Sequence, residues 1–287
     1  MDFGILYYRK KHGEYIRSFP RKRLLPFFCV NSFLILLYTV CNIFLTDYEK
    51  ISFRLIVQSF LWGDTIIKNG WYLQVQMLLY VVFFVLSSLL LKKNNGVKLY
   101  FAFFMAFEFV YIVICIFLKM DTHWYLTILS FGLGLLWAHR KEKIDAVITN
   151  HKIKATVISF AIFAIGFLLN FMLNRISLKL VATLINMVSI LFFDITVILI
   201  MFLSSRSKFY TSKVLQILGR YSFGTYVLHG AWMCILRGTK VYVTNDYLYC
   251  ALVIVLTAVS TVVFTPFYEK VFKAFKTKKQ ICNEMRS

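Results

Sequence analysis

The sequence has no Lys or Arg inside any of eight long apolar stretches, although it contains 33 of these residues in all. A helix of roughly 20 apolar residues crosses the ~30 Å hydrocarbon core of a bilayer. Hydrophobic residues make up 60 % of the chain, which leaves almost nothing for a soluble domain. We therefore predict an all-α, polytopic membrane helix bundle with eight transmembrane helices. The predicted helices lie at about 24–46, 71–91, 99–118, 122–138, 155–174, 180–203, 221–236 and 247–268.

The sequence also lacks the signatures of several other protein classes. Its six Cys show neither metal-ligand nor disulfide-framework spacing, so we expect small core residues and no metal. It has no glycine-rich phosphate loop and no Ser/His/Asp order of a soluble hydrolase. Residues 1–20 contain no apolar segment of the signal-peptide type.

Acidic residues are few, and the net charge is +20. Such a charge is often a sign of nucleic-acid binding. Here, however, 25 of the 33 Lys and Arg fall in the odd-numbered connections, counted from the N-terminal arm. Basic residues stay on the cytoplasmic side of short loops, where anionic lipid attracts them. We therefore predict cytoplasmic termini, no nucleic-acid partner, and one domain over 1–287 flanked by a basic arm (1–23) and a basic tail (269–287).

Two acidic residues fall inside predicted helices. Glu108 lies near the middle of 99–118 and Asp194 past the middle of 180–203. A charged residue at this depth costs ~2.5–3.5 kcal/mol on an insertion scale, so each is a candidate functional residue. The alternative is that either acid is protonated, or pairs with a neighbouring helix to fix packing.

Two polar clusters supply further candidates. Ser222, Tyr226 and His229 stand at i, i+4 and i+7, on one helical face that could bind a polar head group or relay a proton. Hydrogen bonding between helices, worth roughly 1 kcal/mol per bond, explains them equally well. At the start of the second helix, Gln76 and Tyr80 are helical neighbours and Trp71 lies at the interface. An aromatic anchor would account for Trp71 without any function.

Taken in order, several short segments resemble motifs of the acyltransferase 3 family of integral membrane acyltransferases. The resemblance covers nearly the whole chain, and the order and spacing of the segments make it specific. The segments are Arg21-Lys22-Arg23-Leu24-Leu25-Pro26; Trp71-Tyr72-Leu73 with Gln76 and Tyr80; Trp124–Leu136; and Leu218-Gly219-Arg220-Tyr221-Ser222 with Tyr226-Val227-Leu228-His229.

The resemblance implies a function. A family member would take an acyl group, expected to be acetyl, from cytoplasmic acyl-CoA to a hydroxyl of a cell-surface carbohydrate or lipid-linked glycan. It would do so in the bacterial cytoplasmic membrane, with acyl-CoA as donor substrate and no permanently bound cofactor. Arg21, Arg23 and Arg220 would suit the CoA phosphates, although charge that sets topology explains them equally well.

Two departures from the family pattern leave alternatives open. We expect the chain to start where the family has completed two spans, the first of which would carry the His regarded as the family's catalytic base. Gln76 stands where many members have Glu. We therefore expect either an acyltransferase or an inactive relative.

The competing hypotheses are a glycan transporter or polymerase component, with Asp194 and Glu108 lining a pathway, and a non-enzymatic membrane remnant. The acyl group, acceptor and oligomeric state stay open.

Overall fold

The computed structural model describes residues 12–46, 50–90, 96–172, 179–204 and 212–275. This part of the chain is helical and contains no β-strand, as predicted. Two short π-helical turns, Pro20–Leu24 and Asn42–Thr46, flank the second helix. The α-helices are α1 His12–Phe19, α2 Leu25–Cys41, α3 Phe53–Phe60, α4 Trp71–Leu90, α5 Gly96–Phe117, α6 Leu129–Asn150, α7 Lys152–Met172, α8 Lys179–Ser204, α9 Lys213–Leu236 and α10 Asp246–Ala274.

Six helical segments in the described ranges are long and apolar enough to cross a membrane. They have 20 to 31 residues, and their most apolar windows have a mean hydropathy of 2.1 to 2.4. The chain is therefore an integral, multi-pass membrane protein. The six segments are Tyr15–Leu45, Trp71–Leu90, Gly96–Phe117, Lys152–Met172, Val181–Leu203 and Asp246–Ala274.

The fourth and seventh predicted spans differ from the other six. Residues 122–138 form a 3-10 turn at Thr122–Trp124 and then the first part of α6, which continues through charged residues to Asn150. Residues 221–236 are the second part of α9, which begins at Lys213. Both helices are long enough, but polar and charged residues share them with the apolar ones, so neither has the apolar composition of a span. The count of eight stays a prediction.

The predicted basic arm and tail are partly helical. The described part of the arm leads without a break into α2. Proline has no backbone N–H to donate, and the wider π-helical turn Pro20–Leu24 accommodates this loss at Pro20 and Pro26. At the other end, α10 extends beyond residue 268 to Ala274. The short helix α3 follows, and the Ser52 hydroxyl caps it by accepting a hydrogen bond from the Leu55 N–H.

The chain divides into two compact units. The first unit comprises residues 1–16 and 82–215. In it, α7 and α8 form a closely packed pair, in which the Ser189 hydroxyl donates to the Gly166 carbonyl at 2.7 Å. The first helical turns of α6 face α5 on one side and α8 on the other, through hydrogen bonds to both helices.

The second unit comprises residues 17–81 and 216–287. Its core joins α2, the start of α4, α9 and α10. The Tyr38 hydroxyl, on α2, donates to the Val227 carbonyl on α9 at 2.6 Å and so ties the two helices together inside this core. The buried core residues are Phe27, Val30, Leu34, Ile35, Tyr38, Ile67, Leu73, Val227, Leu228, Ala231 and Phe264.

Candidate functional site

In the second unit, the loop before α4 meets α9 at Asn69. The Asn69 amide nitrogen lies 3.1 Å from Nε2 of His229. The Tyr226 hydroxyl donates to the Asn69 backbone carbonyl at 3.2 Å. The structure thus joins two residues predicted from helical spacing with a third from a distant loop. We call Asn69, Tyr72, Tyr226 and His229 the Asn69–His229 cluster.

The hydrogen bonds of His229 indicate which ring nitrogen carries the proton. Nδ1 lies 2.6 Å from the Tyr226 carbonyl oxygen and 3.3 Å from that of Thr225. A carbonyl can only accept, so Nδ1 is the protonated nitrogen. In the neutral ring Nε2 then carries a lone pair, and it accepts a hydrogen bond from the Asn69 amide. His229 is half-buried.

Aromatic rings surround the cluster. The Tyr72 and Tyr226 ring centroids are 5.1 Å apart, edge to face. The Trp71 and Tyr72 ring centroids are 6.0 Å apart, also edge to face. Such edge-to-face pairs are worth ~0.5–1.5 kcal/mol beyond the area they bury. Trp71 therefore joins the cluster through Tyr72.

Local sequence explains why the loop meets α9 here. A Cβ on Gly230 would lie 2.8 Å from the Lys68 Cβ and 3.0 Å from its carbonyl oxygen, so only glycine permits this approach. Ile67 is inserted into the core of the second unit. Asn69 follows with a φ of 62°, a left-handed conformation that Asn tolerates better than most residues. Gly70 then closes the turn, donating to the Ile67 carbonyl at 2.8 Å.

Ser222 does not belong to the Asn69–His229 cluster. Its side chain is exposed, and its hydroxyl donates to the Gly219 carbonyl of its own helix at 2.9 Å. Serine commonly makes such a bond within a helix. Two of the three residues predicted on this face, Tyr226 and His229, are therefore together, and the third is not.

Gln76 and Tyr80 also lie apart from the cluster. The Gln76 side chain hydrogen-bonds to the Tyr80 hydroxyl. The Tyr80 ring packs edge to face on Phe19 at 5.9 Å and on Phe27 at 5.6 Å. These contacts place the pair at the junction of α1, α2 and α4.

The glutamine that organises the loop is Gln74. Only 1 % of Gln74 is exposed. Its amide oxygen accepts from the Gly63 N–H at 3.1 Å, and its amide nitrogen donates to the Gln58 carbonyl at 2.9 Å. Gln74 therefore fixes the end of α3 and the following turn against α4.

The three arginines predicted to contact CoA have different surroundings. Arg220 forms a two-pronged ion pair with Glu269, with N–O distances of 2.6 and 2.8 Å. Arg23 is half-buried. Arg21 is exposed. Of the three, Arg220 already has a carboxylate partner that a phosphate would have to replace.

Both intramembrane acids bind the start of α6, in the first unit. Glu108 is fully buried, and its Oε1 accepts from the Gly132 N–H at 3.0 Å. Asp194 Oδ2 accepts from the Ser130 hydroxyl at 2.5 Å. Among the described residues Oε2 of Glu108 has no hydrogen-bond partner. The first turn of a helix has free N–H groups and a partial positive charge, so carboxyl groups stabilise it. These contacts fit the packing alternative for both acids.

Comparison with known proteins identifies the chain. The model of the acyltransferase domain of the acyltransferase 3 family matches residues 3–269. The chain belongs to the acyltransferase 3 family. No curated protein and no solved structure matches it. The match spans nearly the whole chain and supports a membrane acyltransferase-like role. In the described part of this family member, no three His, Cys, Asp or Glu side chains are grouped so as to hold a metal ion.

Sequence reasoning missed two residues that organise the loop of this acyltransferase 3 protein. Asn69 and Gln74 were not predicted, since their partners His229 and Gln58 lie 160 and 16 residues away. An Asn-Gly pair just before an apolar helix is a turn signal. It marks the turn at Asn69, but it does not show which helix the turn meets.

Proposed function

We propose that this protein is a membrane acyltransferase that moves an acyl group, expected to be acetyl, from acyl-CoA to a hydroxyl group. The proposed acceptor is a cell-surface carbohydrate or a lipid-linked glycan. The observation that carries the proposal is the family match over residues 3–269. The proposed location is the bacterial cytoplasmic membrane, with O-acetylation of an envelope polysaccharide as the expected activity.

The proposal includes eight spans with both termini in the cytoplasm. The distribution of basic residues between alternate connections supports it. The two additional helices have 22 and 24 residues, about 33 and 36 Å at 1.5 Å per residue, but that length includes charged residues such as Arg140 and Arg220. This topology would place Arg21, Arg23 and Arg220 on the side where acyl-CoA is made.

The Asn69–His229 cluster is the proposed acceptor site. It combines an amide, a phenol and an imidazole, all of which hydrogen-bond to sugar hydroxyls, with the exposed ring of Tyr72 beside them. In this proposal Arg21 and Arg23 bind the CoA phosphates as charge-assisted donors, whereas Arg220 stays with Glu269.

The experiment is acyl analysis of surface glycans from cells that lack the gene, from complemented cells and from cells with His229→Gln. Deletion should abolish the acyl group and complementation should restore it. His229→Gln should lower acyl content while the protein stays in the membrane at the same level. Full acylation after deletion would refute the proposed function and favour the non-enzymatic alternative.

The transporter or polymerase alternative is tested through Asp194. The contact of this residue with Ser130 supports a packing role and gives the pathway hypothesis no specific support. Asp194→Asn, measured for glycan export and for acyl groups per exported chain, separates the two. Loss of export with normal acylation per chain would favour the transporter.

A further inference from the structure

We propose that helix α6 begins about halfway across the membrane and that Glu108 holds a proton at neutral pH in the site formed there. The site comprises Glu108 on α5, Ser130 and Gly132 at the start of α6, and Asp194 on α8, and we call it the α6 start site. Both carboxyl groups bind the first turn of α6. The second oxygen of the fully buried Glu108 has no hydrogen-bond partner within the described ranges. The inference does not rest on the proposed function.

The two acids show how deep the α6 start site lies. Glu108 lies about 18 Å from the start of α5 and about 14 Å from its end, at 1.5 Å per residue. Asp194 lies about 20 Å and 14 Å from the two ends of its spanning segment, 181–203. Each acid is therefore near the middle of a ~30 Å hydrocarbon core. Ser130 and Gly132 hydrogen-bond to these acids, so the first turn of α6 is at the same depth.

The length of α6 agrees with this depth. From its first residue, Leu129, to its first charged residue, Arg140, α6 extends about 17 Å, or roughly half of the hydrocarbon core. The preceding residues 118–128 form a 3-10 turn and irregular turns, and their side chains Tyr125 and Ile128 are buried in the protein. Irregular backbone is tolerated at membrane depth only where protein or water surrounds it. The fourth apolar stretch is thus irregular in one half of the membrane and helical in the other.

The charges at the α6 start site do not balance if both acids are ionised. The apolar stretches 99–118, 122–138 and 180–203, from which the site is built, contain no Lys or Arg, and Glu108 and Asp194 are their only acids. The start of a helix carries about half a positive charge, whereas two carboxylates would carry two negative charges. An unbalanced carboxylate inside the membrane is costly. One bound proton removes most of the excess negative charge.

The other titratable side chains near the α6 start site do not supply the missing positive charge. Tyr111 and Cys115 share the buried face of α5 with Glu108, and both are neutral when protonated. Tyr125 is buried just before the start of α6. His139 lies about two helical turns further along α6, beside the charged residues at the membrane boundary. The proton is therefore held by one of the two acids.

The hydrogen bonds assign the proton to Glu108. An ionised carboxylate needs donors on both oxygens, but only Oε1 of Glu108 accepts a hydrogen bond, from the Gly132 N–H. Oε2 points into the site, 2.5 Å from where a Cβ on Gly132 would lie. A proton on Oε2 removes the need for a donor at that atom. Asp194, by contrast, is half-buried and accepts from the Ser130 hydroxyl.

Infrared spectroscopy of the purified full-length protein tests the protonation directly, because a protonated carboxyl group absorbs apart from an ionised one. At neutral pH the wild type should show a protonated-carboxyl band, and 13C labelling of glutamate should shift it. Glu108→Gln, which keeps the shape of the side chain and an oxygen for the Gly132 N–H, should abolish that band. A folded wild type without a protonated-carboxyl band would overturn the inference.

Two control variants show whether the band belongs to Glu108. Asp194→Asn should retain the protonated-carboxyl band and lose only ionised signal. Asn245→Asp adds a carboxyl group at the N-cap of α10, where either residue caps the helix, and should add only ionised signal. Loss of the band in Asp194→Asn, with retention in Glu108→Gln, would contradict the assignment to Glu108.

A spin label on α6 tests the depth of this helix, without any need for acyl transfer. Leu136 and Val147 are both exposed on α6, before and after Arg140. With the signal of the labelled wild type subtracted, a label on Leu136→Cys should be accessible to oxygen dissolved in the lipid and shielded from a water-soluble nickel complex. A label on Val147→Cys should show the reverse. Equal access of the nickel complex to both labels would overturn the position of α6 in the membrane.

Discussion

Substituting Gly132 tests whether the Glu108 carboxyl binds the start of α6. A Cβ built on Gly132 would lie 2.5 Å from Oε2 and 3.0 Å from Oε1 of Glu108. Both atoms belong to a fully buried side chain, so there is no solvent into which the carboxyl can move. We expect Gly132→Ala to destabilise the protein, because the carboxyl must be displaced and its hydrogen bond to the Gly132 N–H broken.

The magnitude follows from two opposing effects. Overpacking of a tight site costs about 1–3 kcal/mol, whereas replacing Gly by Ala inside a helix gains about 1 kcal/mol. The matched control is Gly134→Ala, two residues further along α6, where the added Cβ meets nothing within 4 Å. Gly134→Ala should therefore stabilise the protein, and Gly132→Ala should lie about 1–3 kcal/mol below it.

The assay is unfolding of the purified protein in mixed micelles, with the free energy of unfolding compared among the two variants and the wild type. The double variant Gly132→Ala/Glu108→Ala provides a further check. Removing the carboxyl relieves the clash, so the two substitutions should cost less together than the sum of their separate costs. Equal stability of Gly132→Ala and Gly134→Ala, with additive costs in the double variant, would refute the contact.

The remaining predictions concern other hydrogen bonds and one ion pair. Tyr38→Phe removes the buried bond to the Val227 carbonyl and should cost about 1 kcal/mol of unfolding free energy; an unchanged value would contradict that contact. Ser189→Ala should weaken the pairing of α7 and α8 by about 0.6–1 kcal/mol, measured in the same way. Exchanging the charges of Arg220 and Glu269 in one double variant should restore the thermal stability lost in each single charge reversal. A loss in the double variant equal to the sum of the two single losses would show that the pair contributes nothing.

The membrane class and most helices follow from the sequence because they depend on local composition. Stretches of about 20 apolar residues predict six spans close to where the structure has them. The fourth and seventh stretches were less predictable. In α6 and α9 the helix continues well beyond the apolar residues, into the charged segment up to Asn150 and back to Lys213. Hydropathy locates the apolar part of a helix and not its ends.

Only part of the candidate site could be predicted from the sequence, because its residues come from distant parts of the chain. Helical spacing places Tyr226 and His229 on one face, and in the structure they lie together, with Tyr226 also bonded to Asn69. Asn69 comes from a loop 160 residues away, and no local pattern reports such a contact. Ser222 shares the spacing, but its hydroxyl bonds to the Gly219 carbonyl of its own helix.

Transfer of a labelled acyl group by the purified full-length protein tests the central claim most directly. The protein would be reconstituted in vesicles and supplied with acetyl-CoA labelled in the acetyl group and with de-acylated surface glycan from the same cells. The account predicts that label appears in ester linkage on the glycan, and that His229→Gln reduces it whereas Asn245→Asp does not. Label at the level of protein-free vesicles, with the protein folded and inserted, would contradict it.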